Sequence, residues 1–125
     1  MSYTAGSNPA TGFTQAASAL GAPTRFTSPS SPFGGATTPF QAAFGTNEIV
    51  SIGEGGQLTV AFDEPVRNDA QNPFGLDLLI FGNAFYGDTA FPNGVAGGIF
   101  SEGGVISVSA DGVNFLTVTG ADADG

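Results

Sequence analysis

A chain of 125 residues carrying a formal charge of −9, with no cysteine, histidine or lysine, has the length for one domain with its own core. The missing residue types rule out disulfide frameworks, thiolate metal sites, cysteine nucleophiles, His-containing triads and Ser-Lys dyads. Seven Asp and four Glu set against Arg25 and Arg67 repel phosphate backbones and anionic bilayers, so nucleic acid is a poor partner and an acidic solvated surface the plain reading.

The first 46 residues are rich in Gly, Ser, Thr, Ala and Pro, with a single expected helical turn at Ala16–Leu20 that Gly21 and Pro23 stop. Phe13, Phe26, Phe33, Phe40 and Phe44 recur through this stretch, which is unlike a disordered spacer. The expectation is an extended N-terminal segment, 1–46, pinned by its aromatics onto a β-sandwich core at 47–125 or onto a neighbouring subunit. Ser31-Pro-Phe-Gly34 and Thr38-Pro-Phe40, echoed by Asn72-Pro-Phe-Gly75, predict turns that each present one aromatic. Met1–Ser7 has neither a basic nor an apolar signal region, and no apolar run in the chain is long enough to span a bilayer.

Strands are expected near 48–52, 57–62, 76–81, 98–100, 104–109 and 115–119. Gly53–Gly56 suits a hairpin between the first two. Leu58, Val60 and Phe62 alternate with Gln57, Thr59 and Ala61, the period of a strand covered on one face. Leu76–Phe81 is apolar on both sides except at Asp77, which predicts a place in the middle of a packed sheet. Pro65 and Pro73 mark 63–75 as a loop, and Gly82–Gly98 reads as a longer one. Two alternating runs, Val105–Ser109 and Phe115–Thr119, flank Asp111-Gly112 as a β-hairpin. With one or two strands from the leader, the expected fold is an all-β antiparallel sandwich or jelly roll. Gly120–Gly125 follows the last strand directly and supplies no closing strand, which predicts an open edge available for pairing with another chain.

Four blocks, Ala16–Pro23, Val50–Val66, Asp77–Phe85 and Val108–Phe115, resemble a family of bacterial secreted cell-surface domains. That family is of planctomycete type and associated with exosortase (PEP-CTERM) sorting signals. The last block also resembles discoidin-like, galactose-binding-like jelly rolls. The resemblance implies an exported, extracellular β-sandwich used in surface architecture or adhesion, and it supplies no catalytic residues. Many members have Glu where this chain has Gly82.

Candidate sites follow from the loops. Asp63, Glu64, Asp77, Asp88 and Glu102 are the carboxylates available for glycoside hydrolysis, but no Trp platform or basic residue accompanies them. Calcium prefers six to eight oxygen ligands, and Asp63, Glu64, Asp77, Asn83 and Asp88 are the candidate set, weighed against solvated turn carboxylates. Asp77 needs a partner in an apolar strand: Arg67 or Arg25 in a bidentate pair, calcium, or solvent. Tyr86 and Phe91, with Asn83, Asp88 and Asn93, have the mix of a sugar-binding loop, against core filling or subunit contact. Phe26, Phe33, Phe40, Phe85, Tyr86 and Phe91 are therefore the candidate ligand or interface residues. The expected function is a non-enzymatic, self-assembling structural or adhesive subunit, a homo-oligomer or polymer; the alternative is a carbohydrate-binding module that takes glycans, with calcium as cofactor in either.

Overall fold

The computed structural model describes residues 1–119 and is β-rich, built from four separate antiparallel strand pairs. β1 (Ser2–Thr4) pairs with β4 (Gln57–Thr59), and β2 (Phe26–Thr27) with β3 (Gly35–Ala36). β5 (Phe85–Asp88) pairs with β6 (Ala96–Phe100), and β7 (Ser107–Val108) with β8 (Leu116–Thr117). Short 3-10 turns at Ala16–Ala19 and Pro73–Gly75 are the helical elements of the described chain, and none is long and apolar enough to cross a membrane.

The leader supplies what the alternating run at 57–62 pairs with. Tyr3 lies opposite Leu58 in the β1–β4 ladder, and the Tyr3 hydroxyl donates to the Ser51 carbonyl at 2.8 Å. Farther along, the Ser7 and Glu54 backbones exchange bonds of 2.8 and 3.0 Å, and the Ser51 N–H donates to the Phe13 carbonyl at 2.7 Å. This approach is possible because Gly6 and Gly56 face each other: a Cβ on either would run into the backbone of the other segment. The expected 48–52/57–62 hairpin is accordingly not the pairing observed. Residues 48–52 carry no ladder, and 53–56 form a turn closed by the Gly56 N–H on the Gly53 carbonyl at 3.1 Å.

The second half departs further from its sequence pattern. The hairpin around Asp111-Gly112 is present, with Gly112 at φ 73°, but its ladder is confined to two residues on each side. The stretch 82–98, read from sequence as loop, contains β5 and the start of β6, whose end falls on the strand expected at 98–100, and the two pair across a bulge between Tyr86 and Asp88. The run 76–81 carries no ladder at all. Its apolar character on both faces is that of an interior strand, and a strand of that kind needs hydrogen-bonding neighbours that the other described segments do not supply.

Packing follows the pairing. Among the described residues no apolar side chain is buried, and Thr27 is the one side chain fully enclosed. Among the described residues the four strand pairs belong to four separate sheets, and no closed sandwich is formed. The Gly120–Gly125 tail, expected to supply no closing strand, lies outside the described residues.

Candidate functional site

Carboxylates organise the loops of this molecule. Glu48 sits at the centre of the most enclosed one: its Oε2 accepts from the Thr27 hydroxyl at 2.5 Å and from the Gly45 N–H at 3.0 Å, and its Oε1 from the Ser28 N–H at 2.7 Å. The Thr27 hydroxyl in turn accepts from the Phe44 N–H at 2.9 Å. Ser28 is held at φ 44°, a left-handed conformation for a residue with a Cβ, and the Glu48 bond to its amide helps to fix it there. Burial pushes the Glu48 carboxyl up, but the Thr27 and backbone donors outweigh it and leave the group below its ordinary value. Ser28–Ser31 and Gly45–Glu48 line an open groove of about 430 Å³ over this knot.

Asp88 performs the same work for the 88–95 loop. Its Oδ1 accepts from the amides of Ala90 and Val95, and its Oδ2 from the Gly94 amide, each at 2.9 Å. Desolvation raises this carboxyl, yet the three amides hold it below the ordinary value. Asp111 accepts from the Asn114 and Val113 amides, from the Asn114 side chain and from the Ser109 hydroxyl, which hold it far below the usual carboxylate range. Asp77, expected to pair with an arginine, metal or solvent, is solvent-exposed and accepts from the Asp69 N–H at 2.9 Å and the Asn72 side-chain amide at 3.0 Å, closing the 69–77 loop. These carboxylates accept hydrogen bonds from the chain's own donors. At Asp88 this tuning is opposite to that of a glycosidase acid, which needs a raised pKa that keeps its proton.

The expected metal set, Asp63, Glu64, Asp77, Asn83 and Asp88, is spread over separate loops. Among the described residues, no group of three or more acidic side chains comes together. Asp63 and Glu64 form an exposed bend, Asn83 is half-buried in the approach to β5, and Asp88 closes its own turn.

The aromatic set divides into two kinds. Phe85 and Phe100 stack across β5–β6 with centroids 5.0 Å apart at 21°, and Phe40 lies against Tyr86 at 6.4 Å and 55°. The Tyr86 N–H donates to the Pro39 carbonyl at 2.8 Å, so the leader covers the outer edge of β5. Phe26 and Phe33 are exposed. Phe91, at the tip of the loop that Asp88 holds, is 86% exposed, and Phe74 in its Pro-Phe-Gly turn is 96% exposed at φ 60°. The two Pro-Phe-Gly turns thus present Phe33 and Phe74, as their turn chemistry predicts, whereas Phe40 of the Thr38-Pro-Phe40 echo is half-buried against Tyr86. Phe74 was not among the sequence candidates, although the Asn72-Pro-Phe-Gly75 echo contained the signal. Thr27 and Glu48 were also missed, and no local motif marks them because they are 21 residues apart.

Phe62, Leu79, Ile80, Phe81, Ile99 and Phe100 are among the exposed large apolar side chains. Comparisons with protein-family models, curated proteins and solved structures find no match for this chain.

Proposed function

We propose that this chain is a non-enzymatic, extracellular structural or adhesive subunit that self-assembles, completing a β-sandwich or jelly roll between copies. The observation that carries this reading is the absence of any buried apolar side chain among the described residues of a chain that is 41% hydrophobic. Such a composition is stabilised by removing apolar area from water, at roughly 25 cal/mol per Å². Here that area remains to be covered by association. The carboxylates support the same reading, because they are committed to holding turns rather than poised for proton transfer. The surface location rests on the resemblance of the four sequence blocks to secreted bacterial domains.

Light scattering on the purified full chain tests the proposal. Species whose mass grows with protein concentration are expected. A monodisperse monomer that binds glycans on an array would instead establish the carbohydrate-binding alternative, with Phe91 and its rigid loop as the first place to mutate.

A further inference from the structure

The self-assembly reading leaves open which surfaces meet, and the backbone narrows the choice. Between the Leu76 amide, which donates to the Pro73 carbonyl, and the start of the β5 ladder at Phe85, residues 77–84 make no backbone–backbone hydrogen bond with any described residue. Both ends of this arm are nonetheless fixed: Asp77 is tied to Asp69 and Asn72, and Tyr86 to Pro39. In between, both alternating sets of side chains are open, Leu78 and Ile80 at 37% and 56%, Leu79 and Phe81 at 62% and 68%. A segment with both faces apolar and unpaired amides is a strand lacking its sheet.

The longest edge available to it is β6. Because the Tyr86 N–H points away to Pro39, the Tyr86 and Ile99 pair is one whose backbone groups turn away from each other. The N–H and C=O of Ile99 therefore face outward, along an uncharged strand of five residues, Ala96–Phe100. The other strands have two to four residues, and the outer edge of β5 is covered. Within one copy the arm runs into β5 through only Gly82, Asn83 and Ala84, and β5 separates it from the free side of β6. A second copy has no such constraint.

Area sets the stoichiometry. The chain exposes 9409 Å², whereas a folded monomer of 12.4 kDa exposes about 6,100 Å². The excess stays above roughly 2,000 Å² even after setting aside the most that six residues can expose. A standard interface covers about 800 Å² per partner, so one such contact leaves most of the excess in water and two contacts per subunit are needed.

We propose that Leu78–Phe81 of one copy pairs as a β-strand along the open β6 edge of a second copy, and that this head-to-tail contact repeats. Arm and edge are different surfaces, so the contact is heterologous and leaves a free arm at one end and a free edge at the other. An open-ended chain of copies results.

The inference rests on the assembly reading but fails separately from it. The protein has no cysteine, so single-cysteine variants report proximity cleanly. Under mild oxidation, a mixture of Ile80→Cys and Ile99→Cys chains is expected to cross-link at least about tenfold more than either alone, because only opposed strands bring the two sulfurs within bonding distance. Ile80→Pro removes a ladder donor in the arm and is expected to abolish growth with concentration, while amide protection of Ala90, Gly94 and Val95 persists to show that the 88–95 loop is intact. Polymers that form without the mixed cross-link, or a closed dimer in which Ile80→Cys links to itself, would overturn the proposed contact and leave self-assembly standing. A monomer at all concentrations would overturn both.

Discussion

At the scale of single residues, the molecule is held by side-chain oxygens rather than by hydrocarbon. Thr27 shows this most clearly: among the described residues a threonine is the one fully buried side chain, and its hydroxyl both donates to Glu48 and accepts from the Phe44 amide. Replacing it with valine keeps the shape but strands those partners, a loss of about 1–3 kcal/mol. Thr27→Val is expected to lower Tm by roughly 5 °C in calorimetry, and Thr27→Ser to restore most of it; equal melting of the valine variant and the parent would refute the role of the knot. The depressed carboxyls of Glu48, Asp88 and Asp111 couple stability to acid. A group whose folded pKa lies below its unfolded one stabilises fully above the unfolded value and loses that contribution as pH falls through the folded value. Stability is therefore expected to be flat near neutrality and to fall below the ordinary values of 4.5 for Glu48 and 3.8 for the aspartates. Chemical denaturation at stepped pH checks this, and a maximum in acid would contradict it.

At the scale of elements, a carboxylate closes the loop of two hairpins, Asp88 in β5–β6 and Asp111 in β7–β8. The β5–β6 hairpin owes its form to Asp88 at the bulge, where one carboxylate collects three amides across the 88–95 loop. Asp88→Ala is expected to speed hydrogen exchange at Ala90, Gly94 and Val95 by about tenfold, without altering exchange in β1 and β4. Unchanged exchange would mean that the strands hold the loop unaided. Asp77 closes 69–77 in the same manner, yet the segments on either side, 60–66 and 77–83, stay unpaired. Fixing a turn brings two arms to one place. It does not supply the neighbouring strands that an apolar pair needs.

At the scale of the whole molecule, two forces oppose each other. Exposed Phe, Leu and Ile side chains favour association, while nine net negative charges on each copy resist it. Salt screens the second without weakening the first, the Debye length falling to about 10 Å at 0.1 M. Sedimentation velocity is expected to show larger species as sodium chloride is raised; dissociation with salt would place ion pairs rather than apolar strands at the contact.

Composition and period by themselves determined the chemistry that is missing, the β-rich class, the aromatic-presenting Pro-Phe-Gly turns and the hairpin at Asp111-Gly112, because these depend on residue type and on neighbours a few positions away. The 57–62 run announced a strand but not its partner, which proved to be Ser2–Thr4, more than fifty residues earlier. Only the tertiary structure decided that pairing, the knot of Thr27 with Glu48, the diversion of Asp77 from arginine to its own loop, and the exposure of Leu76–Phe81. Each depends on which distant segment reaches a given edge first, and local alternation carries no information about that competition.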